Sequence, residues 1–155
     1  MLVSQKRTNT AIASFEIVTC RSSRSICRLM RSTRAAIPVL FDTDHEFKWG
    51  QGHVMHDGED AAIIANGPQV SEAITAAKEL KLKGVSVRVI SMSSVKPIDR
   101  TLISKAGRDT GFVVSAEDHF IHNGLGSAVA ECLAGEGVAA KLWRLGIEVT
   151  EDHIF

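Results

Sequence analysis

Residues 61–90, AAIIANGPQVSEAITAAKELKLKGVSVRVI, decide the fold. Ala61–Ala65 is a short apolar run and reads as a buried strand. The period then changes. Val70, Ala73, Ile74, Ala77 and Leu80 fall on one face at helical spacing, and Gln69, Glu72, Lys78, Glu79 and Lys81 take the wet side. Gly84 closes that helix, since a glycine tolerates the left-handed turn that ends one. Val85 to Ile90 alternates as a second strand, with one less-buried face or an edge position. Strand, helix, strand at this length is a crossover unit, which parallel strands require.

The pattern continues on both sides. Downstream, Pro97 suits the first turn of a second helix, where its missing N–H costs nothing, and Asp99 there favours the positive end of the dipole. Ile98, Leu102 and Ala106 form its inward stripe. Residues 112–116 give a third parallel strand. Leu125, Ala128, Val129, Cys132 and Leu133 share one face of a third helix. Residues 139–145 make a last strand, and residues 146–155 read as an exit loop. Upstream, residues 52–55 form a short strand, and Asp57-Gly58 is a tight-turn signal that sets it antiparallel at an edge. The expected fold is α/β: a three-layer α/β/α domain with a mostly parallel sheet and one antiparallel edge strand.

The 155 residues suffice for one such domain with an appendage. No apolar run approaches the roughly 18 residues of a membrane-spanning helix. Three cysteines, Cys20, Cys27 and Cys132, are too few and too scattered for a disulfide framework or a cysteine-rich zinc site. Eighteen basic and eighteen acidic residues cancel overall, yet the charge is split along the chain. Residues 1–40 hold seven basic residues and one acidic residue, and the remainder holds eleven and seventeen. An acidic main body argues against nucleic acid as the partner. Residues 1–27 are basic, Ser-rich and acid-poor, which fits an organelle transit peptide, a disordered arm or a misassigned start of translation. Without a transit function the expected compartment is the cytoplasm. Residues 37–52, IPVLFDTDHEFKWGQG, read as a linker.

The densest chemical patch is EDHFIHNGLGS, residues 117–127, between the third parallel strand and the third helix. Ligands gather at the carboxyl ends of strands in open α/β sheets, and a helix N-terminus offers N–H groups to an anion. His119 and His122 are of the residue type that serves as acid, base or hydrogen-bond donor in such sites. The bland alternative is that the glycines only permit close helix–strand packing and the histidines sit at an interface. Gly124-x-Gly126 is not a dinucleotide fingerprint, since Val129 stands where the third glycine belongs, and no phosphate-cradling P-loop pattern is present. His53 and His56, three apart in a strand, fall on opposite faces and read as surface residues, not metal ligands. Cys132 reads as a small core residue. From the residues alone, an anion-binding domain and a non-enzymatic interaction module both stay open.

Residues 28–155 resemble the C-terminal domain of the transketolase family of thiamine-diphosphate enzymes. IPVLFDTDHEF is similar to the linker that enters that domain, and GHVMHDGEDAAIIANG to its opening hairpin and first strand. VSVRVISMSSVKPID is similar to its second strand and the Lys-Pro-x-Asp turn. AEDHFIHNGLGSAVAE resembles its acidic residue and the glycine pair that opens a helix, and RLGI its last strand. Related domains close pyruvate dehydrogenase beta subunits and deoxyxylulose-phosphate synthases. The Glu-Asp-His start and the Asp-His-Glu-Phe linker look closest to split transketolases.

The resemblance implies part of an enzyme that moves a two-carbon ketol unit between sugar phosphates. The Gly-Asp-Gly motif and metal-binding Asn of the diphosphate-binding domain do not occur here, and no counterpart of the cofactor-activating glutamate can be placed. Thiamine diphosphate and Mg²⁺ therefore belong to the complete enzyme, with neither bound by this chain alone. The implied partners are the cofactor-binding domains or subunit, in a homo- or hetero-oligomer, with no nucleic acid and no membrane. Residues 1–27 are expected to be an arm or spurious, 28–51 the remnant of a preceding domain with its linker, and 52–155 the C-terminal domain, shortened at its end. No catalytic residue is expected. Glu117, His119, His122, Asn123, Gly124 and Gly126 are the candidates for dimer contact and support of the active-site mouth, in a chain inactive alone. The non-enzymatic module, or the same domain of a related enzyme, is the alternative.

Overall fold

A computed structural model describes residues 38–42 and 44–148. The expected arm at 1–27, residues 28–37 of the expected 28–51 remnant and linker, and the tail at 149–155 lie outside the described residues. Within them run β1 (His53–His56), β2 (Ala61–Ala65), α1 (Gln69–Leu82), β3 (Val87–Ser91), α2 (Arg100–Thr110), β4 (Phe112–Phe120), α3 (Leu125–Gly135) and β5 (Lys141–Ile147). The five strands form one sheet in the order β1-β3-β2-β4-β5. β1 is antiparallel to β3, and every other pairing is parallel.

Strand alternation sends side chains to two cores. Ala62, Ile64, Ile90, Met92 and Val113 pack under α2 and α3 with Ile103, Ala106, Leu125, Val129, Cys132 and Leu133. Ala65, Val87, Val89 and Ala116 meet Val70, Ala73 and Ala77 of α1 on the other face. The three-layer expectation holds, and Cys132 is a core residue. Burial of an Ile64- or Ile90-sized side chain contributes about 1.5–3 kcal/mol, so these two layers carry most of the fold.

Five local expectations need correction. β1 is an antiparallel edge strand, but it pairs with β3 and not with β2, so residues 53–65 are no hairpin. Asp57-Gly58 serves a different purpose. A Cβ at Gly58 would press into the β3 backbone, 2.6 Å from Arg88 N, so the glycine lets the chain cross closely over β3. Asp57 Oδ1 accepts from the Arg88 guanidinium at 2.9 Å, and Asp109 Oδ2 of α2 accepts from the same group at 2.7 Å. That engagement explains the second correction. β3 lies inside the sheet, not at its edge, with four of its five residues buried. Its alternating polar residue, Arg88, is nearly covered and neutralised by two carboxylates.

Third, α2 begins at Arg100, not at Pro97. Asp99 is its N-cap: Oδ1 accepts from Leu102 N at 2.9 Å while Oδ2 accepts from Gly52 N at 3.1 Å. Pro97 precedes the cap, and its carbonyl accepts from the Ser94 hydroxyl. Fourth, β4 and β5 run longer than their apolar cores. β4 continues through Glu117, Asp118 and His119 to Phe120, and β5 continues through Gly146 to Ile147, where a loop was expected. The helix ends at Leu82 as foreseen, with Gly84 at φ +81°. Fifth, His53 and His56 are half-buried rather than surface residues, and His56 Nδ1 lies 2.9 Å from the Val87 carbonyl.

Candidate functional site

The polar patch stands where β4 hands over to α3. Glu117 sits near the end of the buried part of β4 and turns toward the N-terminus of α3. Its side chain has no exposed surface. The Leu125 N–H donates to Oε2 at 2.6 Å, and the Gly126 N–H donates to Oε1 at 3.0 Å. His119 Nε2 lies 3.0 Å from Oε2. A carboxylate here meets the positive end of the helix dipole and two backbone donors, bonds roughly twice as strong as neutral ones. Gly124, the residue before the helix, has extended backbone with φ −98°, so it is not glycine for its conformation. It is glycine for space. A Cβ there would overlap Glu117 Oε2 and stand 2.9 Å from both Glu117 Cδ and His119 Nε2.

Gly126 is likewise a packing residue. A Cβ on it would lie 2.7 Å from Ser115 Oγ and 2.9 Å from Arg144 Cδ. The turn that reaches the helix is made by Asn123, the one described non-glycine residue with positive φ, at +61°. Asparagine tolerates that region better than most side chains. Its N–H donates to Ser127 Oγ at 3.0 Å. The six sequence candidates are therefore together at one end of the sheet, but in two layers. Glu117, Gly124 and Gly126 are buried, whereas His119, His122 and Asn123 face outward.

The anion-site reading does not survive this geometry. The first amides of α3 are already bonded to a carboxylate, so a phosphate or carboxylate ligand would meet negative charge there. The same fact bears on thiamine diphosphate and its metal. The diphosphate has no free donor at this helix end, and the described residues include no group of three or more His, Cys, Asp or Glu able to hold a metal ion. The β4–α3 junction does not fit the cofactor's diphosphate.

Sequence reasoning passed over two neighbours. Asn66 follows β2, and its N–H donates to the Ala116 carbonyl at 3.3 Å, which sets it beside the end of β4. Asn66 Oδ1 and Asp118 Oδ2 are both buried acceptors with no hydrogen-bond partner among the described residues. Asp118 Oδ1 stands 3.7 Å from His119 Nδ1. β3 lies on one side of β2 and β4 on the other, so Asn66 and Asp118 mark the point where the strand order reverses. The Asn-Gly pair closing β2 and the second acid of Glu117-Asp118 were the available signals.

These features define a three-layer α/β domain with a mostly parallel sheet, whose α3 is capped from its own β4 and carries a polar rim outside. The chain belongs to the transketolase C-terminal domain family, whose model matches residues 50–153. A chain described as a transketolase C-terminal section in Methanocaldococcus jannaschii is 42% identical over 120 residues, 76% of this chain and 37% of that one. 1-Deoxy-D-xylulose-5-phosphate synthase 1 of Geobacter sulfurreducens is 44% identical over 121 residues, 77% of this chain and 19% of the synthase. A split-gene transketolase solved as an inactive beta4 tetramer superposes with a TM-score of 0.72 at 41% identity, over 76% of this chain and 39% of that one. The chain thus spans about two fifths or less of the relatives it matches. No helix among the described residues is long and apolar enough to cross a membrane.

Proposed function

We propose that the chain acts as the C-terminal domain of a transketolase-type enzyme and contributes contacts rather than chemistry. The observation that carries this is the commitment of Glu117: the patch's one fully buried acid is spent on holding α3. What remains outward, His119, His122 and Asn123, is a polar rim suited to meet another domain. Asn66 Oδ1 and Asp118 Oδ2 beside it, without a hydrogen-bond partner among the described residues, support a face completed by donors from elsewhere. In the assembled enzyme, the cofactor-binding part would hold thiamine diphosphate, which would supply the chemistry of two-carbon ketol transfer between sugar phosphates. This chain's residues fix the domain against the cofactor-binding part and shape the mouth of the site. The partner is that part, on another subunit or another segment, in a homo- or hetero-oligomer, and the compartment is the cytoplasm.

The identity to the Geobacter sulfurreducens synthase favours a second reading of the same kind, the C-terminal domain of a deoxyxylulose-phosphate synthase. Mixing the chain with the cofactor-binding half of a split transketolase, and weighing the mixture by native mass spectrometry, tests the docking role. A stable complex is expected, weakened at least about tenfold by replacing His119 and His122 together with Ala, since contacts central to an interface cost over 1 kcal/mol each. A complex indifferent to both substitutions would remove this rim from the interface.

A further inference from the structure

The segment leading into β1 is fastened by three rings. Phe41 stacks on His45 with centroids 4.1 Å apart and planes at 24°. His45 meets His53 of β1 edge-on at 4.4 Å and 76°. Phe41 closes the triangle with His53 at 5.6 Å and 74°. Beside them Leu40 packs against the α1-side core. Two of the three fastening rings are imidazoles, the side chain whose charge changes between about pH 5 and 8. We propose that the His45–His53 contact is a pH-sensitive latch, holding Phe41 and His45 on β1 near neutral pH and letting them go in mild acid.

Burial, first, and the neighbouring His45, second, hold the His53 imidazole below the ordinary histidine value, with Asp99 opposing them. β3 sets uncharged Ser91 across from His53. Asp99, at the N-cap of α2, acts on the ring in the opposite sense, and both its oxygens are engaged, by Leu102 N and Gly52 N. A proton on His53 is therefore poorly compensated while the latch is shut. With the segment released, His53 meets water and returns to the ordinary value of about 6.5. The released form binds the proton more tightly, so docking is complete above about pH 6.5 and weakens as pH falls below it.

The test is an NMR titration of the full chain, following ring-to-ring cross-peaks of Phe41, His45 and His53 from about pH 7.5 to about pH 5. Methyl signals of Ile64 and Val129, buried in the α2–α3 core, report on the fold itself. The cross-peaks should be lost progressively over this range while the core methyls hold, the direction that linkage to a histidine with a lowered docked value gives. His45→Gln and His53→Gln should each flatten the response. Cross-peaks that persist unchanged to the acid end overturn the latch. So does a loss that coincides with collapse of the core methyls, or a pH response that survives in both variants.

Discussion

Glu117 and Gly124 fit together because one lacks a side chain: the glycine's missing Cβ leaves the space that the buried carboxylate fills while it bonds the first amides of α3. The strand thereby caps the helix that follows it. Replacing Gly124 with Ala should expel the carboxylate and leave both amides without their acceptor. The expected loss is about 2–3 kcal/mol, in the range of a broken buried network. Urea unfolding of the full chain measures it, and a loss under about half a kcal/mol, the size of an ordinary surface change, would contradict the cap.

Removal of the acid itself gives the reciprocal experiment. Glu117→Ala should cost about 2–3 kcal/mol, the scale for hydrogen bonds to a charged acceptor left unmade. Glu117→Gln keeps the shape but turns an amide NH₂ toward one of the two backbone donors, so it should recover only part of the loss. Amide exchange at Leu125 and Gly126 should quicken in both variants ahead of exchange in β2.

Arg88 joins the β1–β2 connection to the end of α2 through Asp57 and Asp109. The hydrogen bond from Arg88 is the main reason each of these carboxyls lies below its ordinary value. Their folded values are depressed, so the stability they lend is present above the ordinary aspartate value of about 3.9 and fades as pH falls through the folded values. Carbon-detected NMR titration should find both midpoints low in the wild type. In Arg88→Met both should move up toward the ordinary value, and unmoved midpoints would show that the bridges do not persist in solution.

Asp99 ties the start of α2 to the chain entering β1. Asp99→Ala should cost about 1 kcal/mol for the lost cap alone. It should also free Gly52 N–H, which makes amide exchange at Gly52 the specific readout. Asp99→Asn should recover much of the cap, since either residue serves at that position.

The layered fold was legible because period carries it. The helical stripe of Val70, Ala73 and Ala77 and the apolar run Ala61–Ala65 both land in the cores they imply. The partners of β1 were not legible. Asp57-Gly58 has the local chemistry of a hairpin turn, and only the close crossing over β3 shows why glycine is there. Arg88 misled for a related reason: a single charge in a strand reads as solvent until its carboxylate partners, 31 and 21 residues away, are in view. At the candidate site the sequence groups the six residues but does not show their layers. Glu117, Gly124 and Gly126 look like a ligand cradle in one dimension and prove to be a helix cap and its packing in three. Asn66 went unnoticed because its neighbour Ala116 lies 50 positions along the chain, brought near by a parallel pairing.

The most direct measurement is a ketol-transfer assay on the purified chain with a ketose phosphate, an aldose phosphate, thiamine diphosphate and Mg²⁺, run with and without the cofactor-binding half of a split transketolase. The account predicts no turnover by the chain alone and turnover once the other half is added, beyond what that half achieves by itself. Turnover by the chain alone would contradict it, because a reaction centre would then have to exist among residues here assigned to capping and contact.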